Sequence, residues 1–219
     1  MTDIIHEEGG TVDKYEGDAI IAFWNAPLKV ADHPIRLVQT SLRCQAALKR
    51  MRPAYREAIG KNLFMRIGMN TGPAVVGNMG SRTRFDYTML GDAVNLAARL
   101  ESVNKEFGTY TMVSRSTREL VRDEFAFREI GRVAVVGRKE AVTVYEPMYW
   151  EKYDSHKEII ESFHKGLNQF YKGNFTDALN IFSDIGNLDP AAVSYRMKCR
   201  ELIKSAPKEW QGVWVMTKK

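Results

Sequence analysis

Apolar residues are spaced so that strands and helices alternate along the first two thirds of the chain. Two short apolar runs, TVDKY and AIIAF, flank Glu16-Gly17, an arrangement that is typical of a β-hairpin. Apolar residues then recur every three or four positions over about residues 32–59, which predicts an amphipathic helix. Pro53 lies inside that helix, so we expect the helix to break or kink there.

Further strands and helices follow in the same alternating order. The runs NLFMRIGMNTG, PAVVGNMG and DYTML predict three strands, and DAVNLAARLESVNKEF predicts a helix that Asp92 caps and Gly108 ends. A strand near residues 110–113 and a hairpin of FREIGRVAVV with EAVTVYEPM complete the region. This alternation favours an α+β sheet domain over residues 1–150.

The pattern changes to helices alone over residues 154–205. The run KGLNQFYKGNFTDALNIFSDIGNLDP resembles one tetratricopeptide unit, although its other aromatic residues are shifted from the usual sites. The positions that match this repeat are Gly166, Gly173, Phe175, Ala178, Phe182 and Pro190. Such repeats need about three copies to bury a core, so we expect this single copy to pack on the first domain, on a helix over residues 191–203, or on another chain. A plain helical extension and a repeat that binds a protein partner both stay open.

Composition narrows the class of protein. Of 219 residues, 44% are hydrophobic and 27% are charged, which suits a packed core with a polar surface. The longest apolar runs, such as AIIAFW, are too short to cross a bilayer, and MTDIIHEEGG lacks the pattern of a secretory signal. We therefore expect a cytoplasmic chain, which a region upstream of Met1 could tether to a membrane. Cys44 and Cys199 lie far apart and are expected to be reduced thiols.

The net charge of +5 does not indicate a nucleic-acid-binding protein. The basic residues are scattered along the chain, and no long basic block or aromatic-basic RNA-binding motif is present. Part of the positive charge could serve a polyphosphate substrate.

Two motifs carry the chemistry: TVDKYEGDAIIAF at residues 11–23 and FDYTMLGDAVNLAARLE at residues 85–101. Together they resemble the catalytic domain of class III nucleotide cyclases, which convert ATP or GTP into the 3′,5′-cyclic monophosphate and pyrophosphate. The resemblance covers about residues 1–148. It implies a ferredoxin-like βαββαβ core and a head-to-tail homodimer with two equivalent sites between the protomers.

The chain begins late in the family's pattern. The resemblance implies a core that lacks its first strand and most of its first helix, as in a fragment of a longer protein. The missing strand would lie between Ala19–Phe23 and residues 62–68, so both of these strands should have unpaired edges. It would also carry one of the two metal-binding Asp residues, which Asp3 does not replace. We therefore expect weak or no activity from these 219 residues alone.

The resemblance implies a site for two Mg²⁺ or Mn²⁺ ions. Asp18, just after the Glu16-Gly17 turn, matches the second metal-binding Asp of the family. A carboxylate at a hairpin tip is an oxygen ligand of the kind that these ions prefer. An isolated Gly-Asp pair after a strand would usually be structural, and the surrounding KYEGDAIIAF favours the metal site.

Two further residues match the positions that read the base. By resemblance, Lys14 contacts the adenine ring and Thr88 reads the exocyclic amine. A Lys donor suits a ring nitrogen, and a hydroxyl oxygen can accept a hydrogen bond from the amine. Guanylate-specific members carry Glu and Cys there, so Lys14 with Thr88 indicates ATP as the substrate.

Four residues match positions near the ribose and the phosphates. Asn95 and Arg99 are four apart on one predicted helix and share a face. In the family this Asn positions the ribose and this Arg stabilises charge in the transition state. Arg66 matches an Arg near the phosphates, and Arg138 matches a basic residue, usually Lys, that binds the terminal phosphates. The resemblance places Asp18 and Arg66 on one protomer and the other site residues on its partner.

Two other functions remain as alternatives. The absence of one metal-binding Asp would suit a non-catalytic module that keeps the cyclase fold for regulation or dimerisation. A diguanylate cyclase or polymerase-palm relative would share the core and a Gly-Asp hairpin. The chain lacks a GG[DE]EF-type turn and contains VNLAARLE, and both features disfavour that relative.

Overall fold

The computed structural model describes residues 1–83, 85–135 and 140–216. Helices and strands alternate in the first part of the chain, and helices dominate the rest. The elements are α1 (Thr2–Glu7), β1 (Thr11–Glu16), β2 (Ala19–Phe23), α2 (His33–Ile59), β3 (Ile67–Met69), β4 (Val75–Gly80), β5 (Phe85–Leu90), α3 (Asp92–Phe107), β6 (Thr111–Ser114), α4 (Arg115–Val121), β7 (Ala126–Ala134), β8 (Val142–Met148), α5 (Trp150–Ser155), α6 (Lys157–Tyr171), α7 (Phe175–Ile185), α8 (Pro190–Lys204) and β9 (Trp214–Val215). The predicted α+β class with a helical C-terminal region is confirmed.

The strands within the described residues form three separate sheets. β1 pairs with β2, and β4 pairs with β5, each as an antiparallel hairpin. The third sheet has the order β3-β6-β8-β7-β9, in which β3–β6 and β7–β9 are parallel and the other pairs are antiparallel. Within the described residues β2 pairs only with β1 and β3 pairs only with β6. Each therefore has an unpaired edge, as the sequence predicted for these two strands.

Strand β3 is shorter than the sequence pattern indicated. It pairs with β6 over only three residues, Ile67–Met69. Side chains take up backbone groups of the segment before it, since Arg52 donates to the Leu63 carbonyl at 2.9 Å and Gln45 donates to the Met65 carbonyl at 2.9 Å. A strand extends only as far as it has a partner, so the preceding residues lie outside the ladder.

The predicted break at Pro53 does not occur and the predicted cap of α3 was wrong, whereas a kink at Pro53 stays a prediction. Helix α2 continues through Pro53 to Ile59. Pro53 is exposed, so water can satisfy the carbonyl that loses its hydrogen bond. Asp92 is the first residue of α3 and not its cap, because Gly91 occupies the cap position and no side chain caps the helix there. The acidic side chain still lies in the first turn, where it suits the helix dipole. Gly108, in the left-handed conformation, ends α3 as predicted.

The helical tail and the sheet share one hydrophobic core. Its largest cluster joins residues of α3 and the five-stranded sheet to residues of α6, α7 and α8. Tyr195 of α8 lies at its centre, stacks on Phe107 of α3 and donates a hydrogen bond to the Ile130 carbonyl of β7 at 2.9 Å. Helices α6 and α7, which hold most of the tetratricopeptide-like run, thus pack on the first domain and on α8, two of the arrangements that we expected. The tetratricopeptide likeness and the domain boundaries stay predictions.

A short strand that the sequence pattern did not indicate follows the helical tail. β9 runs parallel to the end of β7, with Val133 opposite Trp214. Trp214 is 4% exposed and packs edge-on against Phe107 with ring centres 4.9 Å apart. A buried tryptophan therefore anchors the last described strand to the sheet and to α3.

A buried ion network also holds the tail to the sheet. Arg128 of β7 lies 2.7 Å from Asp189 and 2.8 Å from Glu146 of β8. Asp189 also caps α8 by accepting a hydrogen bond from the Ala191 amide at 3.1 Å. Burial opposes the guanidinium charge, but the two carboxylates outweigh it and raise the pKa of Arg128. One arginine therefore links two strands with the start of the last helix.

Both cysteines are buried and free, as expected for reduced thiols. Burial raises the pKa of the Cys199 thiol to about 12, so this thiol is protonated at neutral pH. Among the helices that the structure describes, none has the length and the apolar character that crossing a bilayer requires.

Candidate active site

A bulge in β1 brings two charged side chains together. The register passes from Val12 opposite Ala22 to Lys14 opposite Ile21, so Asp13 is an extra residue in the strand. Neighbours in a regular strand point to opposite faces, and a bulge breaks that alternation. The Lys14 ammonium and one Asp13 carboxylate oxygen, Oδ1, consequently lie 3.7 Å apart.

Thr88 contacts the same carboxylate from a different hairpin. It lies on β5, is 8% exposed, and donates from Oγ1 to Asp13 Oδ2 at 2.7 Å. Lys14 and Thr88 are 74 positions apart in the sequence (88 − 14) and meet at one side chain. The structure therefore brings together the two residues that the sequence predicted to read a base.

Asp13 is a residue of this cluster that the sequence reasoning missed. Its side chain is 3% exposed, whereas that of Lys14 is 44% exposed. Within the described residues Asp13 Oδ1 has no hydrogen-bond partner. The available signal was an acidic residue next to the predicted lysine, but strict alternation along a strand would place the two on opposite faces.

Helix α3 carries Asn95 and Arg99 and is held tightly on the sheet. A Cβ atom on Gly68 of β3 would lie 2.2 Å from the backbone of α3, so the two elements approach as closely as glycine permits. Asn104 adds a hydrogen bond from its side chain to the Ile67 carbonyl at 3.1 Å. Asn95 and Arg99 therefore project from a firmly placed helix.

The two polar residues on α3 differ in their surroundings. Asn95 is exposed, whereas Arg99 is partly buried. One guanidinium nitrogen of Arg99, Nη1, is buried and has no hydrogen-bond partner in the part of the chain that the structure describes. Buried donors are normally satisfied, so this nitrogen suits an incoming acceptor such as a phosphate oxygen.

Asn70 fixes the beginning of α3, and the sequence analysis did not single it out. It follows β3 directly and donates from Nδ2 to the Ala93 carbonyl at 2.9 Å. Its Oδ1 accepts hydrogen bonds from the hydroxyls of Ser114 and Ser116. This network ties the first turn of the helix to the end of β6 and to α4.

The remaining predicted site residues lie apart from these two groups. Asp18 is exposed at the β1–β2 turn, after Gly17 with φ of 63°, and Arg66 is exposed just before β3. Over residues 1–83, 85–135 and 140–216, no hydrogen bond or ion pair connects Asp18 or Arg66 with Lys14, Thr88 or α3. Arg138 lies outside the described residues.

The fit of a metal ion can be tested on the acidic residues. Among the described residues no group of three or more His, Cys, Asp and Glu side chains could hold a metal. Asp18 is a single exposed carboxylate. Mg²⁺ is often held by one or two carboxylates together with waters and substrate phosphates, so Asp18 fits as one ligand among several.

Comparisons with known proteins bear on the family to which this chain belongs. The family model "Adenylate and Guanylate cyclase catalytic domain" matches residues 1–146. Adenylate cyclase 1 of Rhizobium meliloti is 33% identical over 146 residues, which is 67% of this chain and 22% of that protein. The terminal-differentiation specific adenylate cyclase of Dictyostelium discoideum is 31% identical over 212 residues, which is 92% of this chain and 10% of that protein. The chain thus spans a quarter or less of these two relatives.

Solved structures show the same relationship. The adenylyl cyclase CyaB from P. aeruginosa superposes with a TM-score of 0.60 at 31% identity, over 67% of this chain and 76% of that one. The guanylyl cyclase Cya2 also gives a TM-score of 0.60, at 32% identity, over 68% of this chain and 74% of that one. From the matched family model and these likenesses, we conclude that the chain belongs to the adenylate and guanylate cyclase catalytic domain family.

Proposed function

We propose that this domain binds ATP and converts it into 3′,5′-cyclic AMP and pyrophosphate. In this reaction the ribose 3′-oxygen attacks the α-phosphorus. Relatives with adenylate cyclase names support the choice of ATP, whereas a guanylyl cyclase is among the similar structures. The choice between ATP and GTP therefore depends on the residues that would face the base.

The observation that carries the proposal is the meeting of Lys14 and Thr88 at Asp13. An ammonium group is a pure donor and suits the N1 acceptor of adenine. The Thr88 oxygen, whose proton goes to Asp13 at 2.7 Å, has lone pairs left for the adenine amine. Guanine presents the opposite pattern at both atoms, a proton on N1 and a carbonyl oxygen in place of the amine.

The helix α3 would supply the groups that act on the sugar and the phosphates. Asn95 is exposed and can bind the ribose. The Arg99 nitrogen that has no hydrogen-bond partner among the described residues can bind a phosphate oxygen as negative charge develops. Rigid placement matters here because small misplacements of catalytic groups cost rate heavily. The contacts of Gly68, Asn104 and Asn70 provide that placement.

The proposed site is completed by a second copy of the chain in a head-to-tail homodimer. Asp18 and Arg66 are exposed, and within the described part no hydrogen bond or ion pair joins them to another site residue of their own chain. We propose that they meet the nucleotide of the partner, with Asp18 as one ligand of Mg²⁺ or Mn²⁺. A bound divalent ion would acidify the ribose hydroxyl and draw charge from the phosphates. Arg138 would bind the terminal phosphates.

The test measures cyclic AMP and cyclic GMP formed from ATP and GTP with Mg²⁺ or Mn²⁺. The chain is assayed alone and, in parallel, extended by any coding sequence that precedes Met1. We expect ATP to be preferred, and we expect Lys14→Glu with Thr88→Cys to erode that preference. A buried mismatch between two donors costs roughly 1–3 kcal/mol, which is about 5-fold to 150-fold in selectivity.

Two results would contradict the proposal. An unchanged ATP preference in the folded double variant would remove Lys14 and Thr88 from base recognition. Nucleotide binding without any cyclic product, in the extended chain as well, would favour a non-catalytic module with the cyclase fold.

A further inference from the structure

We propose that Asp13 is a positioning residue that sets the hydrogen-bond polarity of Thr88 and thereby makes the site selective for adenine. The inference rests on the proposed function, in which Lys14 and Thr88 face the base. It concerns a side chain that need not touch the nucleotide, because Asp13 is 3% exposed.

A threonine hydroxyl alone discriminates poorly between the two purines. It carries one proton that it can donate and two lone pairs that can accept. Adenine presents an amine donor where guanine presents a carbonyl oxygen. A freely rotating hydroxyl could accept from the first and donate to the second, so selectivity requires that the proton of Thr88 be committed elsewhere.

The carboxylate of Asp13 provides that commitment. A carboxylate offers only acceptors, so in the 2.7 Å contact between Thr88 Oγ1 and Asp13 Oδ2 the threonine must donate. Thr88 is left with lone pairs alone on the side away from Asp13. The adenine amine can donate to them, whereas the guanine oxygen would meet lone pairs.

The same carboxylate forms an ion pair with Lys14, the second residue proposed to read the base. Asp13 Oδ1 lies 3.7 Å from the Lys14 ammonium and has no hydrogen-bond partner among the described residues. One side chain thus contacts a pure donor through one oxygen and, through the other, a hydroxyl that is restricted to accepting. This pair matches N1 and the amine of adenine, and it mismatches guanine at both positions.

The bulge at Asp13 makes this arrangement available. Without the extra residue, Asp13 and Lys14 would point to opposite faces of β1. With it, the Lys14 ammonium lies 3.7 Å from Asp13, the same carboxylate that Thr88 contacts from the β4–β5 hairpin. The irregular register therefore has a direct chemical result, in agreement with the frequent occurrence of bulges next to active sites.

The experiment compares the binding of 3′-deoxy-ATP and 3′-deoxy-GTP to the full chain by displacement of a fluorescent nucleotide. Neither probe can cyclise, because each lacks the attacking oxygen, so binding is measured without turnover. The main variant is Asp13→Asn, which keeps the shape of the side chain. The amide oxygen of the introduced asparagine side chain accepts from the Lys14 ammonium, so its NH₂ group faces Thr88. The Thr88 oxygen then accepts from that NH₂ group, and its proton turns towards the base. The adenine preference should then fall on the order of tenfold.

A second pair of variants tests whether Asp13 acts through Thr88. Thr88→Val removes the hydroxyl and keeps the shape, so in this background Asp13→Asn should leave most of the remaining preference unchanged. Asp13→Ala replaces Asp13→Asn if the latter does not fold, and thermal unfolding verifies every variant. Ala leaves the hydroxyl free to rotate, so a smaller loss of preference in the same direction is expected.

The possible outcomes distinguish a failure of the proposed substrate from a failure of the role of Asp13. A wild-type chain that binds neither probe, or shows no adenine preference, would overturn the proposed substrate and this inference with it. A clear wild-type preference that persists in folded Asp13 variants would overturn only the role of Asp13. An equal loss with and without the Thr88 hydroxyl would also overturn it, because Asp13 would then act by another route.

Discussion

Replacing Arg128 by Met should destabilise the whole chain strongly. The guanidinium lies 2.7 Å from Asp189 and 2.8 Å from Glu146, and these three side chains are only 9%, 2% and 15% exposed. Methionine fills much of the same volume, so the main loss is the positive charge between two buried carboxylates. Breaking a buried ion pair by removing one partner costs about 3–5 kcal/mol. For a chain of this size that is on the order of 10 °C in melting temperature.

The assay is urea unfolding at neutral pH, with a matched surface arginine as the control. Arg122 lies 3.7 Å from Glu119 and its side chain is 60% exposed, so Arg122→Met should cost less than about 1 kcal/mol. Adding Glu146→Gln and Asp189→Asn to Arg128→Met should restore part of the loss, since no buried charge then remains. A loss for Arg128→Met as small as that for Arg122→Met would refute the reasoning, because it would mean that the network does not bear on stability.

Three further predictions concern packing, assembly and pH. Gly68→Ala should cost about 3 kcal/mol in thermal unfolding, because its Cβ would lie 2.2 Å from the α3 backbone. Gly77→Ala is the control and should cost far less, since its Cβ would have no described atom within 4 Å. Equal losses would contradict the close approach of β3 and α3. In a chain extended by coding sequence that precedes Met1 and shown to be active, Asp18→Ala protomers and Arg99→Ala protomers should each be nearly inactive alone. Mixing them should restore part of the cyclase activity, because one site per mixed dimer is intact; confirmed heterodimers without activity would refute the shared site. Burial lowers the pKa of His164 below its ordinary 6.5, so the unfolded chain binds more protons and stability should fall as pH drops below about 6.5. His164→Gln should show a shallower fall in melting temperature between about pH 7.5 and 5.5, and identical slopes would show that His164 does not contribute.

The parts of the site that the sequence predicted are those governed by regular spacing. Asn95 and Arg99 share a face of α3 because the helix has the period that its apolar residues indicate. The β1–β2 hairpin follows from its turn residues, so the exposed position of Asp18 could be expected. Regular spacing carries both inferences, and neither depends on distant contacts.

The parts that were missed depend on irregular or long-range features. Asp13 joins Lys14 and Thr88 only because of a bulge, which the alternation of β1 does not reveal. Strand β9 has two residues and is held by the packing of Trp214, so it leaves no periodic signal. Asn70 acts through side-chain hydrogen bonds to segments that are distant in sequence. Such contacts are set by tertiary structure, and spacing along the chain does not report them.

The shared core of sheet and tail bears on how the molecule unfolds. Phe107 at the end of α3 packs against Tyr195 and Trp214 of the tail, so a cut near residue 150 would strip the cover from the helix that carries Asn95 and Arg99. The sheet region and the tail therefore form one cooperative unit, for which a single unfolding transition is expected. A fragment bounded by the sheet pattern alone would expose aromatic surface and be prone to aggregation. The segment that matches the cyclase family, residues 1–146, and the segment expected to unfold as a unit are thus of different lengths.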